Sequence, residues 1–196
     1  MPVVNDYLNS MYRHIHKTKN YGQNSATFIN MIRLLMEDIA PKSILDYGCG
    51  QSRLADLMRE HSNAEAHRYD PAIDGINSIP LDKYDFITCT DVMEHVVEED
   101  CRKVVGELAA LSRNVFFHIS TRPAGEILPD GQNAHCTVRN TKWWLGLITE
   151  YFPDAEVIFD EYGNGCGIIT WKSVHKYIFQ EIYYGIRHIQ VCIRPE

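Results

Sequence analysis

No stretch of this chain approaches the roughly 18–20 consecutive apolar residues of a membrane-spanning helix, so no membrane partner is expected. The first ten residues hold no basic segment followed by an apolar one, and no signal peptide is expected either. The six cysteines, at 49, 89, 101, 136, 166 and 192, include no C-x-x-C pair and no zinc-module spacing. Free thiols in a reducing cytoplasm are the simplest reading. Positive charge is scarce: 19 Lys and Arg stand against 26 Asp and Glu, a net charge of −7. That balance disfavours nucleic acid as a partner, since phosphate contacts need clustered Lys and Arg. Repeats and low-complexity tracts are lacking, as is a Ser–His–Asp or Cys–His set for nucleophilic catalysis. What is present is a chain of 196 residues, 45% apolar and 23% charged, long enough for one domain with a substantial core.

Apolar residues at helical spacing run over 27–39 (Phe28, Ile29, Ile32, Leu35, Met36, Ile39) and stop at Pro41. Ser43–Tyr47 reads as a strand, 51–61 as a helix with Leu54, Leu57 and Met58 on one face, and 65–70 as a second strand stopped by Pro71. Residues 71–83, with Gly75 and Pro80, leave room only for a short third strand. Residues 84–90 form the next strand, Glu98–Leu111 an amphipathic helix and 114–120 another strand. A long loop over 121–140 precedes a helix capped by Thr141, with Trp143, Leu147 and Ile148 as its apolar face. Glu156–Asp160 and 167–171 form a hairpin around Gly163-Asn164-Gly165. Residues 175–184 fit helix or strand, and 188–193 a strand. Alternating strands and helices imply an α/β fold with a parallel sheet covered on both faces, and a ligand at the carboxyl ends of its strands.

The most informative segment is Ser43-Ile44-Leu45-Asp46-Tyr47-Gly48-Cys49-Gly50-Gln51-Ser52, a strand entering a turn with two glycines before a helix. Such a junction lets a ligand approach backbone N–H groups. The dinucleotide pattern G-x-G-x-x-G would need a small residue where Arg53 stands, and Asp46 precedes the first glycine by two; both argue against NAD. Asp70 lies about 20 residues beyond Gly48, where a ribose-binding acid is expected. It could equally be a turn residue before Pro71, and Asp46 a plain helix cap. Further on, Asp91, Glu94 and His95 can converge by i, i+3 and i+4 spacing. Two carboxylates and an imidazole are able to bind a divalent cation.

The run Ile44-Leu45-Asp46-Tyr47-Gly48-Cys49-Gly50 resembles the first motif of class I S-adenosylmethionine (SAM)-dependent methyltransferases. The run 84–96, ending in Glu94-His95-Val96, resembles the family's fourth-strand motif. The resemblance covers 43–120 well and 121–196 loosely. It implies a doubly wound, Rossmann-like fold with a mostly parallel seven-stranded sheet and helices on both faces. It further implies a methyltransferase domain over 41–196, preceded by an N-terminal helical lid over 1–40. SAM would be held by Asp46, Gly48, Cys49, Gly50, Asp70, Pro71, Thr90 and Asp91, with Ser78, Ile79 and Pro80 enclosing the adenine.

The Asp-x-x-Glu-His signature is also similar to that of the ubiquinone-biosynthesis O-methyltransferases and the small-RNA 2′-O-methyltransferases, with Asp91 where those carry Glu. The RNA family adds a later His after a Ser-Thr-x-x motif; here Ser120-Thr121-Arg122-Pro123 is followed by His135. This implies magnesium or manganese on Asp91, Glu94, His95 and His135. Against it, many class I members carry Glu-His-Val without a metal. His135, with His95 and Asp91, is the expected catalytic set, His135 as general base because its ordinary pKa is near neutral. His135 could instead simply bond its own loop, and His118, inside a strand, reads as a satisfied buried group. The loop residues Arg122, Glu126, Asp130, Asn133 and His135 suit a polar acceptor, and Tyr7, Tyr12, His14, His16 and Tyr21 suit a lid. The expected activity is methyl transfer from SAM to an oxygen or nitrogen of a small polar acceptor such as a sugar, nucleotide or other metabolite. An RNA 2′-hydroxyl with a metal, and a non-catalytic SAM-binding partner protein, are the alternatives.

Overall fold

A computed structural model describes residues 6–175 and Ile178. Its centre is a six-stranded sheet in the order β2-β1-β3-β4-β6-β5, built from β1 (Ser43–Tyr47), β2 (Glu65–Tyr69), β3 (Phe86–Thr90), β4 (Val115–Ser120), β5 (Glu156–Asp160) and β6 (Gly165–Ile169). The first four strands are parallel; β6 runs antiparallel to both β4 and β5. The α/β, mostly parallel class is as expected, with six strands among the described residues where seven were anticipated. Residues 71–83 form no strand: Asp70 and Ile76 close a turn on themselves, with the Asp70 N–H on the Ile76 carbonyl and the Ile73 N–H on the Asp70 carbonyl. The strand anticipated over 188–193, the 175–184 element beyond Ser173-Val174-His175, and Cys192 lie outside the described residues.

Period-two alternation divides the sheet's side chains between two cores. On one face Ile44, Phe86, Phe116 and Ile169 pack against α2 (Ile29–Ile39) and α3 (Leu54–Glu60). On the other Leu45, Ile87, Phe117, Ile119 and Ile168 pack against α4 (Glu98–Leu111) and α5 (Thr141–Thr149). Toward the carboxyl ends, the first face turns polar: Asp46 pairs in register with Thr88, and Thr90 with His118. The helix anticipated over 27–39 divides into a 3-10 turn, Asn24–Phe28, and α2. In α5 the N-cap is Asn140, not Thr141; the Asn140 side chain accepts the Trp143 N–H at 2.9 Å. Trp144 rather than Trp143 faces the core, since a helix turning about 100° per residue brings Trp144 onto the stripe of Leu147 and Ile148.

The N-terminal helix α1 (Asp6–Thr18) lies across the carboxyl edge. It buries Leu8, Met11 and Ile15 against Leu128 and Ala134 of the 121–140 loop, and a fully buried side chain of this kind contributes roughly 1.5–3 kcal/mol. Of the 1–40 segment, α2 belongs to the sheet's core, because Met31, Ile32, Leu35 and Met36 face inward; only the described residues before it stand over the carboxyl edge. Among the described residues no helix is long and apolar enough to cross a membrane, and the five described cysteines are free.

Helix α2 ends with Ala40 in the left-handed region, φ 47°, its N–H on the Met36 carbonyl at 2.7 Å. A Cβ is strained there, and glycine is the usual occupant. Ala40→Gly is expected to raise the unfolding free energy by about 0.5–1 kcal/mol in a urea titration, the relief of strain exceeding the added unfolded-state entropy.

Candidate active site

The turn after β1 is held from two sides. The Gly48 and Cys49 N–H groups donate to the Tyr69 carbonyl at 2.7 and 3.0 Å, and the Gly50 N–H donates to Asp70 Oδ2 at 2.9 Å. Asp70 Oδ1 accepts the Ala72 N–H at 2.8 Å, and Arg68 donates to the Gly50 carbonyl at 2.9 Å. Both glycines have positive φ, 69° and 51°. Neither position has room for a Cβ: at Gly48 it would meet the Val92 methyls at 2.5 Å, and at Gly50 the Gly22 carbonyl at 3.0 Å. The glycines therefore admit protein as well as any ligand. Arg53 is exposed at the N-cap of α3, so that helix needs no glycine there. Ser52 Oγ accepts the Leu54 N–H, and it is the turn rather than the helix N-terminus that faces the cavity.

A cavity of about 810 Å3 opens at this edge. Its walls include Gly48, Cys49, Gly50, Asp70, Pro71, Thr90, Asp91, Glu94, His95 and His135, so the structure brings together most of the residues expected from the sequence. Asp46, Ser78 and Ile79 are not among them. Asp46 lies beneath the turn, fully buried, with Thr88 Oγ1 donating to its Oδ1 at 3.0 Å. The 70–76 turn carries the chain away from the cavity, leaving Ser78 exposed and Ile79 packed on the core behind β3. α1 and the segment after it supply the far wall. Gln51 clamps them to the turn: its Oε1 accepts the Tyr21 N–H at 2.8 Å and its Nε2 donates to the His16 carbonyl at 3.0 Å. Tyr7 donates to Asp130 at 3.0 Å, and Lys19 to Glu126 at 2.6 Å. In the 121–140 loop, Asn133 is a structural residue, bonded through its amide to both the N–H and the carbonyl of Ala124.

The polar residues expected to act as one group separate into two. Asp91, at the end of β3, is in the left-handed region at φ 56°. Its N–H donates to the His118 carbonyl at 3.0 Å, and its Oδ1 meets His118 Nδ1 at 2.5 Å. Burial works to raise the Asp91 carboxyl, but His118, helped by His95 and His135, outweighs it and holds Asp91 below its ordinary range. Glu94, His95 and His135 form the other group, with one donor atom from each lying within 4.8 Å of the others. Asp91, turned to His118, is not part of that trio.

In the trio, His95 Nδ1 lies 2.9 Å from the Ala134 carbonyl and His135 Nδ1 2.6 Å from the Arg122 carbonyl. A carbonyl only accepts, so each Nδ1 carries a proton, and in the neutral form of either ring Nε2 is the atom with a lone pair. The Tyr12 hydroxyl, 2.8 Å from His95 Nδ1, donates to the same Ala134 carbonyl at 2.9 Å. Burial, with His135 adding to it, lowers the His95 pKa to about 4, so the ring is neutral at pH 7. Glu94 Oε1 accepts the Ser120 N–H at 3.0 Å, whereas Oε2 is buried with no hydrogen-bond partner. Burial and the neighbouring Asp91 push its pKa well up. An orphaned carboxylate oxygen beside two imidazole lone pairs, each ring fixed by a carbonyl behind it, fits a divalent cation. His118 is the residue sequence reasoning set aside; the available signal was a lone imidazole in the apolar run Val115–Ser120, in register with Thr90.

A mostly parallel sheet whose order reverses between β1 and β3, with a glycine turn and an acid at the adjoining strand ends, is of the doubly wound class, in which a ligand binds at the switch in strand order. The family model described as a methyltransferase domain matches residues 24–156. The chain belongs to that family of methyltransferase domains. Among solved structures it is similar to a provisionally designated O-methyltransferase from Nostoc punctiforme, with 14% identity and a TM-score of 0.57 over 82% of this chain and 60% of that one. It is similar also to an O-methyltransferase family protein from Burkholderia thailandensis, with 13% identity and a TM-score of 0.53 over 85% and 58%. The methyltransferase domain of bacterial CtHen1 gives 14% identity and a TM-score of 0.52 over 74% and 98%. The chain thus spans under two thirds of the first two proteins' own lengths. No curated protein matches it.

Burial pushes the Asp46 carboxyl up to about 7, against the pull of Thr88 and Arg68. The folded pKa then exceeds the unfolded value of about 4, so the native state binds more protons between those values and stability falls as pH rises through that window. Asp46→Asn keeps an acceptor for Thr88 and removes the titration. Denaturant unfolding at pH 4 and 8 is expected to show wild type losing on the order of 2–4 kcal/mol more than the variant as pH rises.

Proposed function

We propose that the chain transfers the methyl group of SAM to an oxygen or nitrogen of a small polar acceptor, a sugar, nucleotide or other metabolite. The observation that carries this reading is that the glycine turn with Asp70 and the Asp91, Glu94, His95 and His135 groups line one and the same cavity. SAM, when bound, supplies a methyl already activated by a positively charged sulfur, so no protein nucleophile is needed. Gly48–Gly50, Asp70 and Pro71 would hold its nucleoside part, and Thr90 and Asp91 the part nearer the sulfur. Asp70 has its second lone pairs left for ribose hydroxyls after taking the Gly50 and Ala72 amides. α1, the segment after it and the 121–140 loop act as the lid that excludes water and aligns the acceptor.

His135 is the proton acceptor of this reading when no cation is present, its Nε2 lone pair being set free by the bond from Nδ1 to Arg122. Glu94, His95 and His135 would together hold a magnesium or manganese ion, which lowers the pKa of an acceptor hydroxyl. The cavity's charge supports a small acceptor over RNA. Among the described residues its walls carry one arginine, Arg122, and no lysine, against Asp70, Asp91, Glu94, Asp100, Glu126 and Glu161. A phosphate backbone finds little to neutralise it there.

Two measurements test these statements. Calorimetry is expected to show one SAM bound per chain, with Asp70→Ala weakening it by about 10–100-fold, the worth of hydrogen bonds to a charged group; unchanged binding by that variant rejects the pocket. For the cation, manganese titrated into chelator-washed protein is expected to bind at one site, with Glu94→Gln weakening it by about tenfold or more. Manganese binding indifferent to Glu94→Gln, His95→Ala and His135→Ala removes the metal from the mechanism.

A further inference from the structure

We propose that Tyr12 of α1 is a positioning residue for His95, and that it couples the seating of the N-terminal helix to cation binding by Glu94, His95 and His135. The inference rests on the reading that this trio holds a magnesium or manganese ion. It goes further by assigning part of the site to a helix that stands 83 residues earlier in the chain.

The stripe of α1 that faces the protein is Leu8, Met11, Tyr12 and Ile15, at i, i+3, i+4 and i+7. Leu8, Met11 and Ile15 are apolar and pack on Leu128 and Ala134. Tyr12 brings a hydroxyl into the same stripe, at a place where phenylalanine would fill the space of the ring. That hydroxyl donates to the Ala134 carbonyl at 2.9 Å, and its oxygen stands 2.8 Å from His95 Nδ1. With its own proton on Ala134, the Tyr12 oxygen is an acceptor toward Nδ1–H. His95 Nδ1 also lies 2.9 Å from the Ala134 carbonyl. Nδ1–H is thus shared between an oxygen of α1 and an oxygen of the 121–140 loop. A neutral imidazole held in this way carries its lone pair on Nε2, at the other side of the ring.

The two imidazoles of the trio are not fixed alike. His135 Nδ1 is held by the Arg122 carbonyl, which belongs to its own loop. His95 is held by two elements, and its ring is boxed by others: edge-on to Tyr12 with centroids 5.4 Å apart, edge-on to His135 at 4.8 Å, and 6.3 Å from Tyr21. Lifting α1 removes Tyr12 and leaves Nδ1–H on Ala134, about which the ring can swing. Groups that hold the second nitrogen of a ligating histidine are worth about 10–100-fold in metal affinity. Coupling is reciprocal, so a cation that binds better when α1 is seated must also hold α1 down. The cation-binding form of the site and the chamber closed to water are then one state.

The test needs no acceptor. Manganese is titrated into chelator-washed wild type, Tyr12→Phe and Glu94→Gln, with bound ion read by electron paramagnetic resonance. Amide hydrogen exchange across α1 is measured with and without saturating manganese. Wild type is expected to exchange more slowly across α1 when manganese is bound. Tyr12→Phe, which keeps the ring, is expected to bind manganese about tenfold more weakly and to lose that slowing. Reciprocity makes the slowing and the loss of affinity similar in size. Glu94→Gln, at the same manganese concentration, is expected to lose the slowing as well, which locates the ion at the trio. A Tyr12 that only packs would loosen α1 equally with and without manganese and leave the affinity as it is. Equal manganese affinity in wild type and Tyr12→Phe, or exchange across wild-type α1 indifferent to bound manganese, overturns the inference and leaves the cation reading intact. The second of these outcomes needs no variant, so the inference is decided whether or not Tyr12→Phe folds. A wild type that binds no manganese overturns the cation reading and this inference with it.

Discussion

The site depends on backbone packing at two glycines. Val92 presses against Gly48 and Gly22 against Gly50, each at a distance that leaves no place for a Cβ. Through the first contact, the turn after β1 sets where the chain leaves β3, and so where Asp91 and Glu94 begin. Through the second, the N-terminal segment is seated on the same turn and brings Tyr12 and Tyr21 over the cavity. Gln51 reinforces that seat by bonding the backbone of Tyr21 and His16. The glycine turn, the loop after β3 and the N-terminal segment thus meet at one place, and a change in the turn's conformation moves all three.

The second organising constraint is the burial of charge. Asp46, Glu94 and Asp91 all sit at the carboxyl edge of one sheet region, yet each is handled differently. Asp46 has a hydroxyl on one oxygen, no hydrogen-bond partner on the other and the attraction of Arg68, and burial prevails. Glu94 has an amide on one oxygen and nothing on the other. Asp91 has an imidazole and stays ionised. A buried carboxylate without a partner is expensive, and its presence beside two outward-facing imidazole lone pairs is what distinguishes Glu94 from a helix-starting acid.

Much of the frame was legible. Ser43–Tyr47 and Glu98–Leu111 have the limits their apolar periodicity indicates, because a short buried strand and an amphipathic helix announce themselves locally. The turn signals Pro71 and Gly163-Asn164 likewise fall where chain direction changes, but β6 begins at Gly165 and runs to Ile169 where 167–171 was expected. Other features were hidden for definite reasons. Whether Asn140 or Thr141 caps α5 depends on a single ψ angle. That Trp144, not Trp143, is buried depends on helix phase, fixed by packing. Ser78 and Ile79 were placed by likeness to a variable region, and the 70–76 turn takes them elsewhere.

The sequence by itself determined the class: a glycine turn after a buried strand, an acid after the next, and a Glu-His pair after a third are local patterns whose spacing follows from strand and helix geometry. Only the tertiary structure decided how the acids and imidazoles are shared out. His118 lies 27 residues from Asp91, and Ala134 and Arg122, whose carbonyls fix the His95 and His135 tautomers, lie on a loop with no periodicity to read. Those pairings come from the register of β3 beside β4 and from α1 packing on the loop. They are products of long-range contact, which no window of neighbouring residues contains.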